Sequence, residues 1–156
     1  IFDAFDRLGI DAQFTDEKLP AIHQPACYLR ELHPAHDVVA GGKKISGNAQ
    51  TRRAGMVLQH GTVLYDVNPE LMFSVLRISS EKVRDKMIAN VKERVTSLTH
   101  LGLDMGKEEV TDALAEGFSK TLGVKLREDE PTEEELELAE KLMGEKYAAD
   151  EWNYKR

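Results

Sequence analysis

The chain has 156 residues, of which 41% are hydrophobic, and this size suits a single ordinary globular domain. Its net charge of -7 and its pI near 5.3 argue against a general nucleic-acid binder, which is usually basic. The mean hydropathy is -0.44 and no apolar run approaches the roughly 20 residues of a membrane span, so we expect neither a nucleic-acid nor a membrane partner.

The N-terminal part of the chain predicts a short helix, a short strand and then a loop. Residues 1–8 carry a helical apolar side, and Gly9 stands where a helix-ending glycine belongs. Residues 10–15 are typical of a short strand. Three prolines in residues 16–34 indicate a loop, with one short strand expected around residues 27–29.

The most strand-like part of the chain runs from residue 37 to residue 66. A glycine pair at 41–42 is a two-residue hairpin signal, and residues 54–55 can form the next turn. Residues 56–65 then alternate between two faces, as a strand does. We therefore predict an antiparallel meander of three strands.

The remainder of the chain is predicted to be mostly helical. Asn68 and Ser80 are suited to cap helix N-termini. Residues 107–122 carry one apolar stripe and end at a glycine, and residues 124–127 are expected to form a short strand.

A last helix is predicted after Thr132, which forms a capping box with Glu135. The apolar residues of this helix are expected to point inward: Leu136, Ala139, Leu142 and Met143. Its other face is acidic and typical of a solvated helix surface. Since strands precede helices along the chain, we predict an α+β fold, an antiparallel sheet with helices packed on one side.

A row of polar residues follows the hairpin glycines inside a stretch that holds no acid between Asp37 and Asp66. On a regular strand Lys44, Ser46, Asn48 and Gln50 share one face, giving a cation beside three neutral hydrogen-bonding groups. Such a row suits a ligand with a phosphate and a carbonyl group. The open alternative is the solvent-facing side of a sheet.

Cys27 is the one cysteine of the chain, which excludes an intrachain disulfide framework and is compatible with the cytoplasm, where we expect the protein. It is either a nucleophile or a small buried hydrophobe. With His33 and His36 it gives three zinc-ligand candidates and no close cysteine pair, so we expect no resident metal. The nucleotide-binding patterns GxGxxG and GxxxxGK[ST] are absent from the sequence.

Together these residues resemble the lipoate–protein ligase A family, which includes cysteine-dependent octanoyltransferases and shares its catalytic fold with biotin–protein ligases. The resemblance rests on the block at residues 42–50, the arginine pair at 52–53 and the block at residues 58–64. It continues downstream through the segments 83–86 and 94–98, and then through 146–147 and 151–153. A partial catalytic domain of this fold is therefore expected.

The resemblance implies roles for individual residues. Lys44 matches the lysine that contacts the acyl carbonyl and phosphate of the acyl-adenylate, and Cys27 stands where the octanoyltransferases carry their acyl-accepting cysteine. The remaining implied residues bind the acyl group or the adenylate: Ser46, Gly47, Asn48, Ala49, Gln59, His60 and Gly61.

The resemblance also implies cofactors and partners. The leading prediction is a lipoate–protein ligase that uses ATP, Mg²⁺ and lipoate to form an acyl-adenylate and then an amide on a carrier lysine. One alternative is a Cys27-dependent octanoyltransferase, whose donor is octanoyl-loaded acyl carrier protein. A second is a non-catalytic module that binds the acyl group or the carrier. The expected acceptors are lipoyl domains of 2-oxoacid dehydrogenase E2 subunits or the glycine cleavage H protein.

One departure from the family is expected to matter. Members carry an upstream segment rich in arginine and glycine that holds the acyl chain, and nothing in residues 1–156 matches it. We therefore expect these residues to be the C-terminal portion of one lipoate-ligase-like catalytic domain.

Overall fold

A computed structural model describes residues 1–15 and 37–155, and the structural statements below refer to these residues. They divide into two compact units, Ile1–Val124 and Lys125–Arg156. Among the helices of the described part, none is long and apolar enough to cross a membrane.

The first unit opens with a helix and the edge of a sheet. Helix α1 spans Phe2–Arg7, and Gly9 follows it at φ +71°, the left-handed conformation that favours glycine after a helix. Strand β1 spans Ala12–Phe14. The helix and the strand predicted for this part of the chain are both confirmed. The loop and strand predicted within residues 16–36 lie outside the described residues.

The predicted meander is confirmed as three consecutive antiparallel strands. They are β2 (Asp37–Ala40), β3 (Lys43–Arg53) and β4 (Met56–Val63). With β1 they form a sheet in the order β1-β2-β3-β4. The turn glycines at 41 and 42 have φ values of +55° and +75°, as a two-residue hairpin turn requires.

Helices complete the first unit at the positions predicted from capping signals for α2 and α3 and from an apolar stripe for α4. They are α2 (Pro69–Ser74), α3 (Glu81–Arg94) and α4 (Lys107–Leu122), with a 3₁₀ turn at Thr99–Leu101. The Asn68 side chain accepts from the Leu71 amide and the Ser80 side chain accepts from the Val83 amide, so both predicted N-caps are confirmed.

The first unit contains two apolar clusters. The larger joins α1, the strands and α4 through residues such as Phe5, Val38, Ile45 and Val110. The smaller packs α2 on α3 around Phe73. The α+β prediction, an antiparallel sheet covered by helices, is therefore confirmed.

The second unit is helical. It contains α5 (Glu133–Leu142), a π-helical turn (Met143–Tyr147) and α6 (Asp150–Asn153). The capping box of Thr132 and Glu135 is confirmed. Lys146 Nζ lies 4.4 Å from the centroid of the Trp152 ring, close enough for a cation–π contact.

Two predictions for this C-terminal region are wrong. Residues 124–127 form no strand. Leu136, Leu142 and Met143 were expected to point inward, yet all three side chains are exposed. Within the second unit itself, the short helices form no second layer that could cover such a stripe.

Candidate functional site

An ion pair at the start of the meander fixes the lysine that sequence reasoning singled out. Lys44 Nζ lies 2.5 Å from Asp37 Oδ1. The Lys44 side chain is 18% exposed and that of Asp37 only 7%, so the pair is shielded from bulk water but the amine is not sealed. A cation held in this way interacts more strongly with a developing negative charge than one in open solvent.

Gly47 makes room for this pair. A Cβ atom at residue 47 would stand 3.1 Å from Lys44 Cε, 3.2 Å from Lys44 Nζ and 3.6 Å from Asp37 Oδ1. The lysine side chain thus runs directly over the backbone of residue 47. This close approach explains why a glycine, otherwise unfavourable inside a strand, stands here.

A β-bulge at Ile45 changes the faces of β3. Val39 pairs with Lys44 but Val38 pairs with Ser46, so Ile45 is the extra residue. Lys44 therefore lies on the face of Asp37 and Gly47, opposite to Ser46. The prediction that Lys44 shares a face with Ser46, Asn48 and Gln50 is wrong for Lys44, because that prediction assumed an unbroken alternation.

The bulge coincides with a contact to another segment of the same chain. The pairing of β3 with β4 begins only at Ser46. Lys44 instead forms a parallel bridge with Val95, in the segment that follows α3. The Thr96 amide donates to the Lys44 carbonyl oxygen at 2.9 Å. The Lys44 backbone is therefore held from both sides.

Three of the four predicted polar residues do share a face. Asn48 Nδ2 donates to Ser46 Oγ at 3.3 Å, and Gln50 Nε2 donates to Gln59 Oε1 at 3.0 Å on the paired strand. Ser46 is buried and Gln50 is exposed, so this row runs from the core towards solvent. Gly61 pairs with Asn48 in the same row.

The other predicted residues divide between the two faces. Ala49 pairs with His60, and both are exposed. Strand alternation from Gly47 places them on the face that carries Lys44. The structure therefore brings Lys44, Gly47, Ala49 and His60 to one face. It brings the remaining predicted residues, Ser46, Asn48, Gln59 and Gly61, to the other.

A cavity of about 360 Å³ is lined by residues of β4 and α4. Its walls are mainly apolar and include Val63, Leu114 and Phe118. Asn48 and the consecutive residues 59–63 also line it. Since residues 59–63 are consecutive in β4, they include side chains of both strand faces.

Asp37 is the functional candidate that sequence reasoning missed. A signal for it was available in the hairpin. A two-residue turn at 41–42 sets Lys44 opposite Val39, and Asp37 lies two residues before Val39 on the same face. A carboxylate on that face within diagonal reach of a lysine is a candidate ion pair.

The remaining predictions fall on residues outside the described part of the chain. Cys27, His33 and His36 lie outside the described residues, so the nucleophile and zinc alternatives both stay as sequence predictions. Within residues 1–15 and 37–155, no three or more His, Cys, Asp and Glu side chains are grouped to hold a metal ion.

Comparison with known proteins identifies the class. The family model described as lipoyl protein ligase A/B catalytic domain matches residues 1–119. The chain belongs to this family, and the resemblance stated from the sequence is confirmed.

Curated relatives carry two kinds of name. An octanoyltransferase LipM from Kyrpidia tusciae is 45% identical over 96% of this chain and 56% of its own length. A lipoate-protein ligase A subunit 1 from Thermoplasma acidophilum is 41% identical over 94% of this chain and 52% of its own length. The chain thus spans little more than half the length of these curated relatives.

Solved structures share the fold. A bipartite lipoate protein ligase from Thermoplasma acidophilum, described with its E2 lipoyl domain, superposes with a TM-score of 0.76 at 33% identity over 97% of this chain and 52% of its own. A lipoate-protein ligase A bound with ATP gives a TM-score of 0.71 at 33% identity over 97% and 53%.

Proposed function

We propose that the complete encoded protein transfers a lipoyl or octanoyl group onto a lysine of a lipoyl carrier domain, and that Lys44 acts at the reacting acyl group. Membership of the family supports the reaction class. The observation that carries the role of Lys44 is its geometry, since its ammonium group is held beside Asp37 over Gly47 and stays partly accessible.

The chemistry needs a cation at this point. The carrier amine attacks the acyl carbonyl, a C–N bond forms, and the carbonyl oxygen gains negative charge until the leaving group departs. A fixed ammonium group stabilises that charge without reorganisation. The same cation can stabilise a phosphate or a thiolate leaving group, so Lys44 is compatible with an acyl-adenylate or a thioester as the acyl donor.

Between the two donors, we propose the octanoyltransferase reaction. Relatives named octanoyltransferase LipM support it, and the ATP-dependent ligase expected first from the sequence is less favoured. In this reaction the Cys27 thiolate attacks a carrier-bound octanoyl thioester and the carrier thiol leaves. The lysine amine of the acceptor then attacks the Cys27 thioester, the amide forms, and the thiolate returns.

The ATP-dependent ligase is the second candidate. Its support is the likeness to a ligase bound with ATP and to a ligase from Thermoplasma acidophilum. In that reaction lipoate displaces pyrophosphate from ATP, and the acceptor lysine then displaces AMP. Mg²⁺ would accompany ATP as its counter-ion, and we assign it no ligands on this chain.

The acceptor is proposed to be a lipoyl domain. The neighbouring ligase structure is described together with an E2 lipoyl domain, which supports this acceptor class. The family resemblance adds two further partners to the proposal. The glycine cleavage H protein is a second acceptor, and acyl carrier protein is the donor of the octanoyl group.

One experiment separates the two donors. The complete protein is incubated with octanoyl-loaded acyl carrier protein without ATP, and the thioester on Cys27 is sought by mass spectrometry. We expect an octanoyl adduct that Cys27→Ser removes together with transfer to a lipoyl domain. Failure to form the adduct, combined with transfer from lipoate and ATP by the Cys27→Ser protein, would establish the ligase instead.

A further inference from the structure

Asp37 is a buried carboxylate whose function the family match does not state. Its side chain is 7% exposed, and its Oδ1 atom is 2.5 Å from Lys44 Nζ. We propose that Asp37 is a positioning residue that aims the Lys44 ammonium group at the reacting acyl group across Gly47. The proposal rests on the proposed acyl transfer and adds the residue that orients its cation.

Both ends of this pair are anchored through the sheet. Asp37 is the first residue of β2 and pairs with Gly47 in the β2–β3 ladder. Lys44 pairs with Val39 on one side and with the Val95–Thr96 segment on the other. The two backbone positions are thus fixed, and the freedom that remains lies in the lysine side chain.

That freedom is considerable without a partner. A lysine side chain is a flexible four-carbon stem that ends in a strongly hydrated point charge. Without a partner, a partly exposed ammonium group would therefore turn towards water. The carboxylate of Asp37 and the open surface of Gly47 select a conformation in which the side chain lies along the sheet. Pre-orientation of this kind contributes to the rate because a misplaced catalytic group loses transition-state contact.

A purely structural role explains the pair less well. A buried ion pair is often no more stabilising than apolar residues of similar volume, because both ions lose their hydration. The pair also stands beside a glycine that keeps the amine accessible rather than packed. A structural pair would need neither that clearance nor the partial exposure of Lys44.

The first test reads the lysine directly and needs no activity. Wild-type and Asp37→Asn proteins are treated with limiting acetic anhydride, and acetylation of Lys44 is measured by mass spectrometry relative to Lys43. Lys43 Nζ donates to the Lys92 carbonyl oxygen and serves as the internal reference. We expect the ratio of Lys44 to Lys43 labelling to rise several-fold in the variant. An unchanged ratio in a folded variant overturns the proposal.

The second test reads the reaction. With the complete protein, Asp37→Asn is expected to lower kcat for acyl transfer by about 10- to 100-fold and to leave KM nearly unchanged, as a misaimed group does. Asp37→Glu is expected to restore part of kcat, whereas Asp37→Ala is not. Asp112→Asn, an exposed acid on α4, is the control and should behave as wild type.

The outcomes distinguish this proposal from the one on which it rests. If wild-type protein transfers no acyl group from either donor, the proposed function fails, and the labelling ratio still decides whether Asp37 holds Lys44. If wild type is active and Asp37→Asn keeps full kcat, Asp37 is not a positioning residue. If Asp37→Asn melts at a lower temperature than wild type but has the same kcat, the positioning role is also overturned.

Discussion

Gly61 on β4 lies so close to Asn48 on β3 that a Cβ atom at residue 61 would stand 2.4 Å from Asn48 Oδ1. The same atom would stand 3.0 Å from the Gly47 carbonyl oxygen. The amide of Asn48 therefore occupies the space that any larger residue at 61 would need. Two of the predicted site residues, on neighbouring strands, depend on each other for their conformations.

The first prediction follows from this contact. Gly61→Ala should displace the Asn48 amide and lower the free energy of unfolding by about 1–3 kcal/mol, the usual cost of overpacking. Urea unfolding measures the loss. Asn48→Ala in the Gly61→Ala background should recover part of it, because the clashing oxygen is gone. Simple additivity of the two substitutions would contradict the contact.

The second prediction concerns the crossing of α1 and α4. A Cβ atom on Gly117 would stand 2.8 Å from the Ala4 backbone nitrogen, and the helix backbone cannot move aside cheaply. Gly117→Ala should therefore destabilise by about 1–3 kcal/mol in thermal or urea unfolding. Gly144→Ala is the matched control, since a Cβ there meets open space and alanine favours helix. Equal effects of the two would refute the close crossing.

The third prediction concerns the contribution of Lys44 to stability. The structure gives Lys44 a buried acidic partner, Asp37. Lys44→Ala should lower the free energy of unfolding by about 3–5 kcal/mol, because it removes the cation that lies beside the buried Asp37 carboxylate. The double variant Asp37→Asn with Lys44→Met should recover most of this loss.

The same double variant separates folding from chemistry. It should fold and yet transfer acyl groups about 100- to 1000-fold more slowly, the range for a lost oxyanion partner. Acyl transfer to a lipoyl domain, measured beside the unfolding curve, gives both values on one sample. Near-normal transfer by the folded double variant would refute the role of Lys44.

The fourth prediction concerns pH. Hydrogen bonds from Lys120 and Thr121 lower the pKa of Asp3 from its usual value of 3.8. A carboxylate whose pKa is depressed in the folded state adds stability above its unfolded pKa and loses it as the pH falls through the folded value. Wild type should therefore melt above Asp3→Asn near neutral pH.

The two melting curves should converge as the pH falls well below 3.8. Thr121→Val removes one of the two donors to Asp3. Its melting temperature should lie below that of wild type by less than the melting temperature of Asp3→Asn does, and this difference should also vanish in acid. Melting temperatures measured across this pH series check the prediction. A difference that persists undiminished in acid would mean that the ionised carboxylate is not the cause.

Features set by neighbouring residues could be predicted from the sequence. The glycine pair at 41–42 determines the hairpin because both positions need positive φ. Asn68, Ser80 and Thr132 mark helix starts because their side chains bond amides three residues ahead. Each of these signals lies within four residues of its effect.

The bulge at Ile45 could not be predicted in that way. It accompanies the contact between Lys44 and the Val95–Thr96 segment, which lies about fifty residues further along the chain. Strand alternation alone therefore placed Lys44 on the wrong face, although it grouped Ser46, Asn48 and Gln50 correctly. The Lys44–Asp37 pair has a related origin, since it joins residues across the hairpin and not neighbours along the sequence.

The position of β4 has a consequence for handling the protein. β4 is the last strand of the sheet in the described residues, and its first residues, Met56–Leu58, are 58–71% exposed. An apolar strand with unpaired amides and carbonyls on one side can template intermolecular pairing, and charges beside it oppose this. Arg52 and Arg53, across the turn, supply such repulsion between copies. We expect these 156 residues to aggregate as salt screens the arginines, and Val57→Lys to delay the onset of light scattering.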